Sequence, residues 1–127
     1  MISKWRVFGL AIAAGALLAQ NPGIQRTVLT RQDISVQGRE AIVARVEVTP
    51  GSTSGRHTHP GEEISYILEG EGEVLVDGQA TIKLKPGVSF VIPARAKHEA
   101  LNTGTQTLKL VGVYVVDKGQ PLATPVQ

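Results

Sequence analysis

Apolar and polar residues alternate along several short stretches of this chain, with the period of two that a half-buried β-strand requires. The clearest stretch covers residues 41–48, where Ile42, Ala44 and Val46 would share one face. Further strands are predicted at residues 25–29, 64–68, 73–76, 80–84, 88–92, 98–101 and 108–116. Gly and Pro separate most of these stretches, and the polar residues 31–33 predict a turn. Because no stretch beyond the N-terminus has a convincing helical period, the pattern predicts an all-β domain, either a closed barrel or a jelly roll.

The links between the predicted strands carry further information. Asp77-Gly78 lies between two alternating stretches, and this pair is typical of a type I′ hairpin turn because both residues tolerate a positive φ. Residues 108–116 are apolar almost throughout, which suits either an inner strand of the monomer or a face buried in a dimer. Beyond them, Pro121 and Pro125 predict a loose C-terminal tail at residues 121–127.

The first 19 residues have the pattern of a secretory signal segment. Lys4 and Arg6 precede an uncharged apolar stretch at residues 7–19, which is shorter than the roughly 20 residues that a permanent transmembrane helix needs. Cleavage is expected after Ala16 or Ala19, and an uncleaved membrane anchor is the alternative. The mature chain would comprise a barrel domain at residues 25–120 and the tail. It would be exported, periplasmic or extracellular, without stable membrane association.

Charge and cysteine content exclude several classes of function. The chain of 127 residues has 13 Lys and Arg against 11 Asp and Glu, and removal of Lys4 and Arg6 leaves 11 of each sign. A neutral mature chain without a basic run offers no footprint for nucleic acid, so no nucleic-acid partner is expected. The absence of cysteine excludes disulfide bonds, thiolate metal ligands and a cysteine nucleophile.

The spacing of the three histidines predicts a metal site. Residues i and i+2 of an extended backbone project from the same face, so His57 and His59 can direct both imidazoles to one point. Glu63 on the next stretch and His98 on a distant strand could complete a set of three nitrogens and one carboxylate oxygen. Such a set suits Mn, Fe, Ni, Co, Cu or Zn. The alternative is a chance His-x-His pair on a polar loop, with His98 at a turn.

The same residues have the spacing of the first cupin motif. Five residues separate Gly51 from His57, and His59 follows two positions later. Three more residues precede Glu63, and six more precede Gly70. Every defining position of this motif is therefore matched.

A second group of residues matches the second cupin motif. Gly87 is followed by five residues and Pro93, then by His98 and, after three more residues, by Asn102. Asn102 is expected to bond to backbone groups of a turn. Arg95 stands where the family usually has Gly, which puts the local turn conformation in question more than the ligands. On these two motifs the sequence resembles the small bacterial single-domain cupins of the conserved-barrel type, over residues 46–116.

This resemblance implies a fold, a site and a range of functions. The fold is the cupin double-stranded β-helix, a jelly-roll barrel that holds one divalent transition metal, Mn or Fe in preference to Ni, Zn, Co or Cu. The implied metal ligands are His57, His59, Glu63 and His98. Cupins also tend to pair, so a homodimer is expected. The expected partner is a small-molecule ligand or substrate.

The resemblance leaves the activity open among several classes. A metalloenzyme of the dioxygenase, decarboxylase or isomerase and lyase type is favoured, acting on a small oxygen-rich molecule. One alternative is a non-catalytic module that binds or senses a metal or a small ligand. Another is a scaffold that the metal only stiffens.

Two further residues are candidates for substrate binding, and no catalytic residue is assigned. Ser65 shares the inward face with Glu63, because alternate residues of a strand point to the same side. Arg95, with Lys97 beside it, would meet an anionic substrate at the mouth of the barrel. The alternative is that both residues lie in a plain surface loop.

Overall fold

The computed structural model describes residues 23–127. The signal segment predicted at residues 1–19 lies outside the described residues. Within the described range the chain forms strands and turns, and it has no helix long and apolar enough to cross a membrane. The strands are β1 (Ile24–Asp33), β2 (Arg39–Val48), β3 (His57–Thr58), β4 (Gly61–Glu69), β5 (Gly72–Val76), β6 (Ile82–Leu84), β7 (Ser89–Ile92), β8 (His98–Asn102), β9 (Leu108–Asp117) and β10 (Thr124–Pro125).

The strands form two antiparallel sheets of five strands each. Sheet A has the order β1-β2-β9-β4-β7, and sheet B has the order β10-β3-β8-β5-β6. Because chain neighbours such as β4 and β5 belong to different sheets, the chain winds back and forth between the two layers. This is the jelly-roll arrangement, and the predicted all-β fold is confirmed.

The hydrophobic core lies between the two sheets. Val46 of β2 and Leu110 of β9 are buried on the inner face of sheet A, and Val74 and Val76 of β5 pack against them from sheet B. Full burial of each such side chain stabilises the fold by about 1.5–3 kcal/mol. Strand β9 lies between β2 and β4, so its apolar sequence is explained by an inner position in the monomer.

Two local predictions are wrong. The turn predicted at residues 31–33 is part of β1, because Arg31 continues the ladder with β2 and its guanidinium lies 3.3 Å from a carboxylate oxygen of Glu40. A turn does form at Asp77-Gly78, but Gly78 has a φ of 76° whereas Asp77 has no positive φ. The turn is therefore not type I′, and the pairing of β5 with β6 ends at Val74, before the turn is reached.

The C-terminal segment is attached to the barrel rather than loose. Strand β10 pairs with β3, and the Leu122 side chain packs against the buried cluster that contains Tyr114. The prolines limit this pairing to two residues without detaching the chain, because the segment also buries an apolar side chain. We call residues 121–127 the C-terminal strap.

Candidate metal centre

Three buried imidazoles meet inside the barrel. His57 lies in β3, His59 follows that strand, and His98 at the start of β8 is the ladder partner of His57. Their ring centroids are 4.3–4.9 Å apart, and one nitrogen of each ring lies within 4.8 Å of the others. The three residues are only 2–6% exposed. The structure thus brings together all the histidines that the sequence predicts as ligands.

Backbone carbonyls fix the orientation of each imidazole. The Nδ1 atoms of His57, His59 and His98 lie 2.7, 2.6 and 2.9 Å from carbonyl oxygens. These acceptors belong, in the same order, to Gly55, Leu122 and Ala96. A carbonyl oxygen only accepts, so each Nδ1 carries the proton of the neutral ring and donates it. Each Nε2 is left with a lone pair, and the three lone pairs face a common centre.

Burial keeps two of these imidazoles neutral. Desolvation lowers the pKa of His57 to about 4 and the pKa of His59 to about 3, from an ordinary value of 6.5. Near neutral pH neither ring holds a second proton. The two Nε2 atoms, 3.2 Å apart, therefore face each other with lone pairs and form no hydrogen bond. The Nε2 atom of His98 is buried and has no hydrogen-bond partner in the part of the chain that the structure describes.

This donor set fits one transition-metal ion. Metal–nitrogen bonds of about 2.0–2.1 Å place two nitrogens on one ion roughly 2.9–3.4 Å apart, for bond angles between a right angle and the tetrahedral angle. The observed separation of the His57 and His59 Nε2 atoms is 3.2 Å. A cation would replace this lone-pair contact by two bonds and would also satisfy the buried Nε2 of His98.

Glu63 on β4 lies at the edge of the imidazole group. Its carboxylate oxygens are 3.7 Å from Nε2 of His59 and 3.8 Å from Nε2 of His98. Burial raises the pKa of Glu63, while His98, the Tyr114 hydroxyl and Arg26 act against that rise. The four predicted ligands therefore lie in one place, with the nitrogens in the closer array. Their ligand role stays a prediction.

Two polar residues beside Glu63 are not predicted from the sequence. Tyr114 of β9 is fully buried, its ring centroid lies 4.8 Å from that of His59, and its hydroxyl lies close enough to Glu63 to lower the pKa of that carboxyl. Arg26 of β1 donates from Nε to the Tyr114 hydroxyl oxygen at 3.4 Å. The available signal was a tyrosine on the buried face of an apolar strand, where a hydroxyl needs a partner.

Gly112 leaves room for the Tyr114 side chain. The two residues lie on the same face of β9, and a Cβ at position 112 would come within 2.7 Å of the Tyr114 hydroxyl oxygen. Burial and the nearby Glu63 carboxylate raise the pKa of Tyr114. The phenol therefore keeps its proton and can donate it towards Glu63.

The cavity at this site is small. The space open to the centre of a water molecule is about 20 Å³, whereas a single water needs about 10–15 Å³ by this measure. The cavity can therefore hold an ion and about one water, and a larger ligand requires the walls to move. Its polar lining consists of Arg26, Ser54, His57, Glu63, His98 and Tyr114.

The two predicted substrate-binding residues lie away from the cavity lining. Ser65 is buried on the inner face, as predicted from parity with Glu63, and its Oγ has no hydrogen-bond partner within residues 23–127. Arg95 lies outside the barrel, where its guanidinium is 2.7 Å from a carboxylate oxygen of Asp117. Its φ of 63° is the left-handed conformation that glycine adopts most readily. The turn therefore keeps a glycine-like backbone despite the arginine.

Asn102 has the structural role that the sequence predicts. Its amide nitrogen donates to the carbonyls of Val48 and Gln106 at 2.8 and 2.7 Å, and its Oδ1 accepts from the Gly104 amide at 2.9 Å. These bonds fix the turn between β8 and β9.

Comparison with known proteins decides the family. The sequence model of the family described as the Cupin domain matches residues 44–116. This chain belongs to the cupin family. Among solved structures, the cupin chain is similar to an uncharacterized conserved protein with a double-stranded β-helix domain from Klebsiella pneumoniae subsp. pneumoniae MGH 78578. The TM-score is 0.66 at 22% identity, and the match covers 82% of this chain and 87% of that chain. At this identity the likeness supports the fold alone.

Two characterised relatives of this cupin differ in their described roles. An oxalate-binding protein of Thermotoga maritima is 34% identical over 83 residues, which are 65% of this chain and 68% of that protein. An acireductone dioxygenase of Rhodopseudomonas palustris is 41% identical over 58 residues, which are 43% of this chain and 35% of that enzyme. The cupin thus spans about a third of the dioxygenase that it matches.

Proposed function

We propose that this chain is an exported single-domain cupin that holds one divalent transition metal, Mn or Fe, and acts on a small oxygen-rich molecule. The proposed ligands are His57, His59, Glu63 and His98. The observation that carries the proposal is the convergence of three buried Nε2 lone pairs, each fixed by a hydrogen bond from Nδ1 to the backbone. Three imidazoles and one carboxylate are a borderline donor set, which also suits Ni, Zn, Co and Cu.

The residues around the proposed metal centre would exclude water from it, orient one ligand and add a positive charge. When bound, such an ion supplies Lewis-acid stabilisation of an oxygen anion or, for iron, redox chemistry with dioxygen. The buried walls exclude water, which strengthens every electrostatic interaction inside. Tyr114 keeps its proton on the hydroxyl and thereby orients the Glu63 carboxylate, as partners of metal ligands do in other sites. Arg26 adds a positive charge at one wall of the cavity.

The reaction class is proposed from the relatives. Similarity to the acireductone dioxygenase supports a dioxygenase reaction, and the same donor set would also serve a decarboxylase or an isomerase and lyase. A non-catalytic binding module is the second candidate. The cavity of about 20 Å³ and the similarity to the oxalate-binding protein favour it.

We also propose that the mature chain pairs with a second copy outside the cytoplasm. Export is supported by the signal pattern at residues 1–19. Pairing is supported by Ile64, Tyr66 and Val91 on the outer face of sheet A, which are 45%, 50% and 56% exposed. Ile64 and Val91 are ladder partners, so these side chains adjoin. Contiguous exposed apolar surface of this kind marks interaction sites.

Elemental analysis of the purified protein tests metal binding. The wild type is expected to hold about one transition metal per chain, and replacement of His57, His59 and His98 by Ala is expected to abolish it. Glu63→Gln is expected to weaken binding, whereas Glu62→Gln is the matched control. The Glu62 carboxylate lies 3.0 Å from Arg39 and is 42% exposed. Wild type without metal after supplementation with Mn and Fe, although folded by circular dichroism, would refute the proposal.

Turnover assays separate the enzyme from the binding module. The loaded protein is given an enediol, a phenol and oxalate while oxygen uptake and products are recorded. Turnover that is absent from the triple histidine variant would support the enzyme. Binding of one of these compounds without turnover would support the second candidate.

A further inference from the structure

Arg26 differs from the other arginines that the structure describes in having no carboxylate partner. Ion pairs within 4.0 Å join the other five arginines of residues 23–127 to Asp or Glu. These pairs are Arg31–Glu40, Arg39–Glu62, Arg45–Glu47, Arg56–Asp77 and Arg95–Asp117. Arg26 alone also lines the cavity of the metal centre. The unpaired positive charge therefore lies beside the candidate site.

The hydrogen-bonding capacity of Arg26 is largely unused. Its Nε donates to the Tyr114 hydroxyl oxygen at 3.4 Å, and its Cζ lies 5.8 Å from the centroid of that ring. No other acceptor within residues 23–127 takes a hydrogen bond from its guanidinium. Two terminal nitrogens with four N–H groups are thus available. A guanidinium in this state presents the planar fork that binds a carboxylate through two parallel hydrogen bonds.

The charge balance of the site also favours an anion. Glu63 is the nearest carboxylate to the cavity, and the Tyr114 hydroxyl lies between it and Arg26. If Glu63 is a ligand, its negative charge offsets part of the charge of a divalent ion. One carboxylate cannot offset both that ion and Arg26, so the site would carry a net positive charge. Because the site is partly buried, this net charge attracts an anion more strongly than the same charge would in bulk water.

The position of Arg26 makes it accessible to an arriving ligand. The histidines are buried, whereas Arg26 is half-buried on β1. Among the strands that the structure describes, β1 is at the edge of sheet A and pairs with β2 alone. A shift of this side chain would widen the small cavity without breaking the core between the sheets.

We propose that Arg26 is the specificity-determining residue of this pocket and that it binds the carboxylate of a short-chain carboxylate ligand. If the three histidines hold a metal, other oxygen atoms of the same ligand would be free to bind it. This inference rests on the proposed function and names its ligand class. The alternative is that Arg26 only packs on the ring of Tyr114. Replacement of Arg26 would then change stability and leave anion binding unchanged.

Oxalate is the probe that tests the assignment. Calorimetric titration of Mn-loaded protein with oxalate compares wild type with Arg26→Gln, and Arg45→Gln is the control. Arg45 lies on the outer face of β2, and its side chain is 50% exposed. Its replacement by Gln removes the same charge as Arg26→Gln. Loss of a charge-assisted fork is expected to weaken oxalate binding by about ten- to a hundredfold. Arg45→Gln is expected to bind like wild type, and Arg26→Lys is expected to recover part of the affinity.

Metal content is measured on every sample, so that failure of the proposed metal centre can be distinguished from failure of the proposed role of Arg26. Equal oxalate affinity of Arg26→Gln and wild type, or no oxalate binding by metal-loaded wild type, would overturn the role of Arg26. Wild type that takes up neither Mn nor Fe would contradict the proposed function. The same titration on that metal-free protein then decides about Arg26, because binding that depends on Arg26 would support its role and its absence would overturn it.

Discussion

Deletion of residues 122–127 is expected to weaken the metal centre without unfolding the barrel. The Leu122 carbonyl accepts the Nδ1 proton of His59 at 2.6 Å. In addition, β10 flanks β3, the strand that carries His57. The truncated chain therefore loses the group that fixes the tautomer of His59 and the neighbour on one side of His57. The sheets themselves keep their pairing, because β10 contributes only two residues at the edge of sheet B.

The size of the effect follows from the bond that is lost. Removal of the partner of a metal-bound imidazole reduces metal affinity by about ten- to a hundredfold, which is roughly 1.4–2.7 kcal/mol. Stability falls for a separate reason, because Leu122 packs against the cluster that contains Tyr114, and exposure of this partly buried side chain costs about 1 kcal/mol. Leu122→Ala separates the two effects, since it keeps the carbonyl and removes most of the packing.

Competition with a chromophoric chelator for Zn²⁺, near neutral pH, measures the affinity. Circular dichroism on the same samples checks that the strands are intact. Deletion of Gln127 alone is the control, because this residue is exposed and the strap remains. Leu122→Ala is expected to melt earlier and to bind metal within about threefold of wild type. A folded protein without residues 122–127 that binds Zn²⁺ as tightly as wild type would refute the role of the Leu122 carbonyl.

Three further results are expected. Metal-free protein loses stability as the pH falls from about 6.5 towards 4, because folding keeps His57 and His59 neutral, with pKa values of about 4 and 3, while the unfolded chain takes up protons. The raised pKa of Glu63 acts in the opposite direction, and this one carboxyl offsets part of the loss that the two imidazoles cause. Equal urea midpoints at about pH 7 and about pH 5 would contradict a net loss of stability. Asn102→Ala removes three hydrogen bonds and is expected to lower the free energy of unfolding by about 2–3 kcal/mol with unchanged metal content, whereas an unchanged melting temperature would argue against a structural role. Tyr66→Lys is expected to convert a dimer into a monomer in light scattering, and a dimeric variant would exclude the outer face of sheet A as the interface.

Much of the fold was predictable because strands with one buried face alternate strictly. Along β2, every inner position from Ile42 to Val48 is buried, as the period of two predicts. The convergence of the His57 and His59 side chains was predictable for the same reason, since residues i and i+2 of an extended backbone point to the same side. A local pattern is sufficient wherever the physical constraint is itself local.

The parts that were missed depend on relations between distant residues. The contact of Arg26 with Tyr114 joins residues 88 positions apart, and neither residue has a neighbour in sequence that marks it. Likewise, the prolines of the strap led to the prediction of a loose tail. That prediction failed because nothing in the local sequence shows that the Leu122 carbonyl contacts His59. The prediction for Asp77 was wrong because its tolerance of positive φ is a local property, whereas its backbone N–H donates to the distant Lys97 carbonyl at 3.0 Å.

Anomalous X-ray diffraction from crystals of Mn-loaded protein tests the metal centre most directly. Data collected above and below the Mn absorption edge locate the ion without reference to any assumed ligand. One peak per chain is expected, about 2.0–2.3 Å from the Nε2 atoms of His57, His59 and His98, with a Glu63 oxygen at a similar distance. A stoichiometric Mn peak elsewhere on the chain, or a site in which an Nδ1 atom faces the ion, would contradict this expectation.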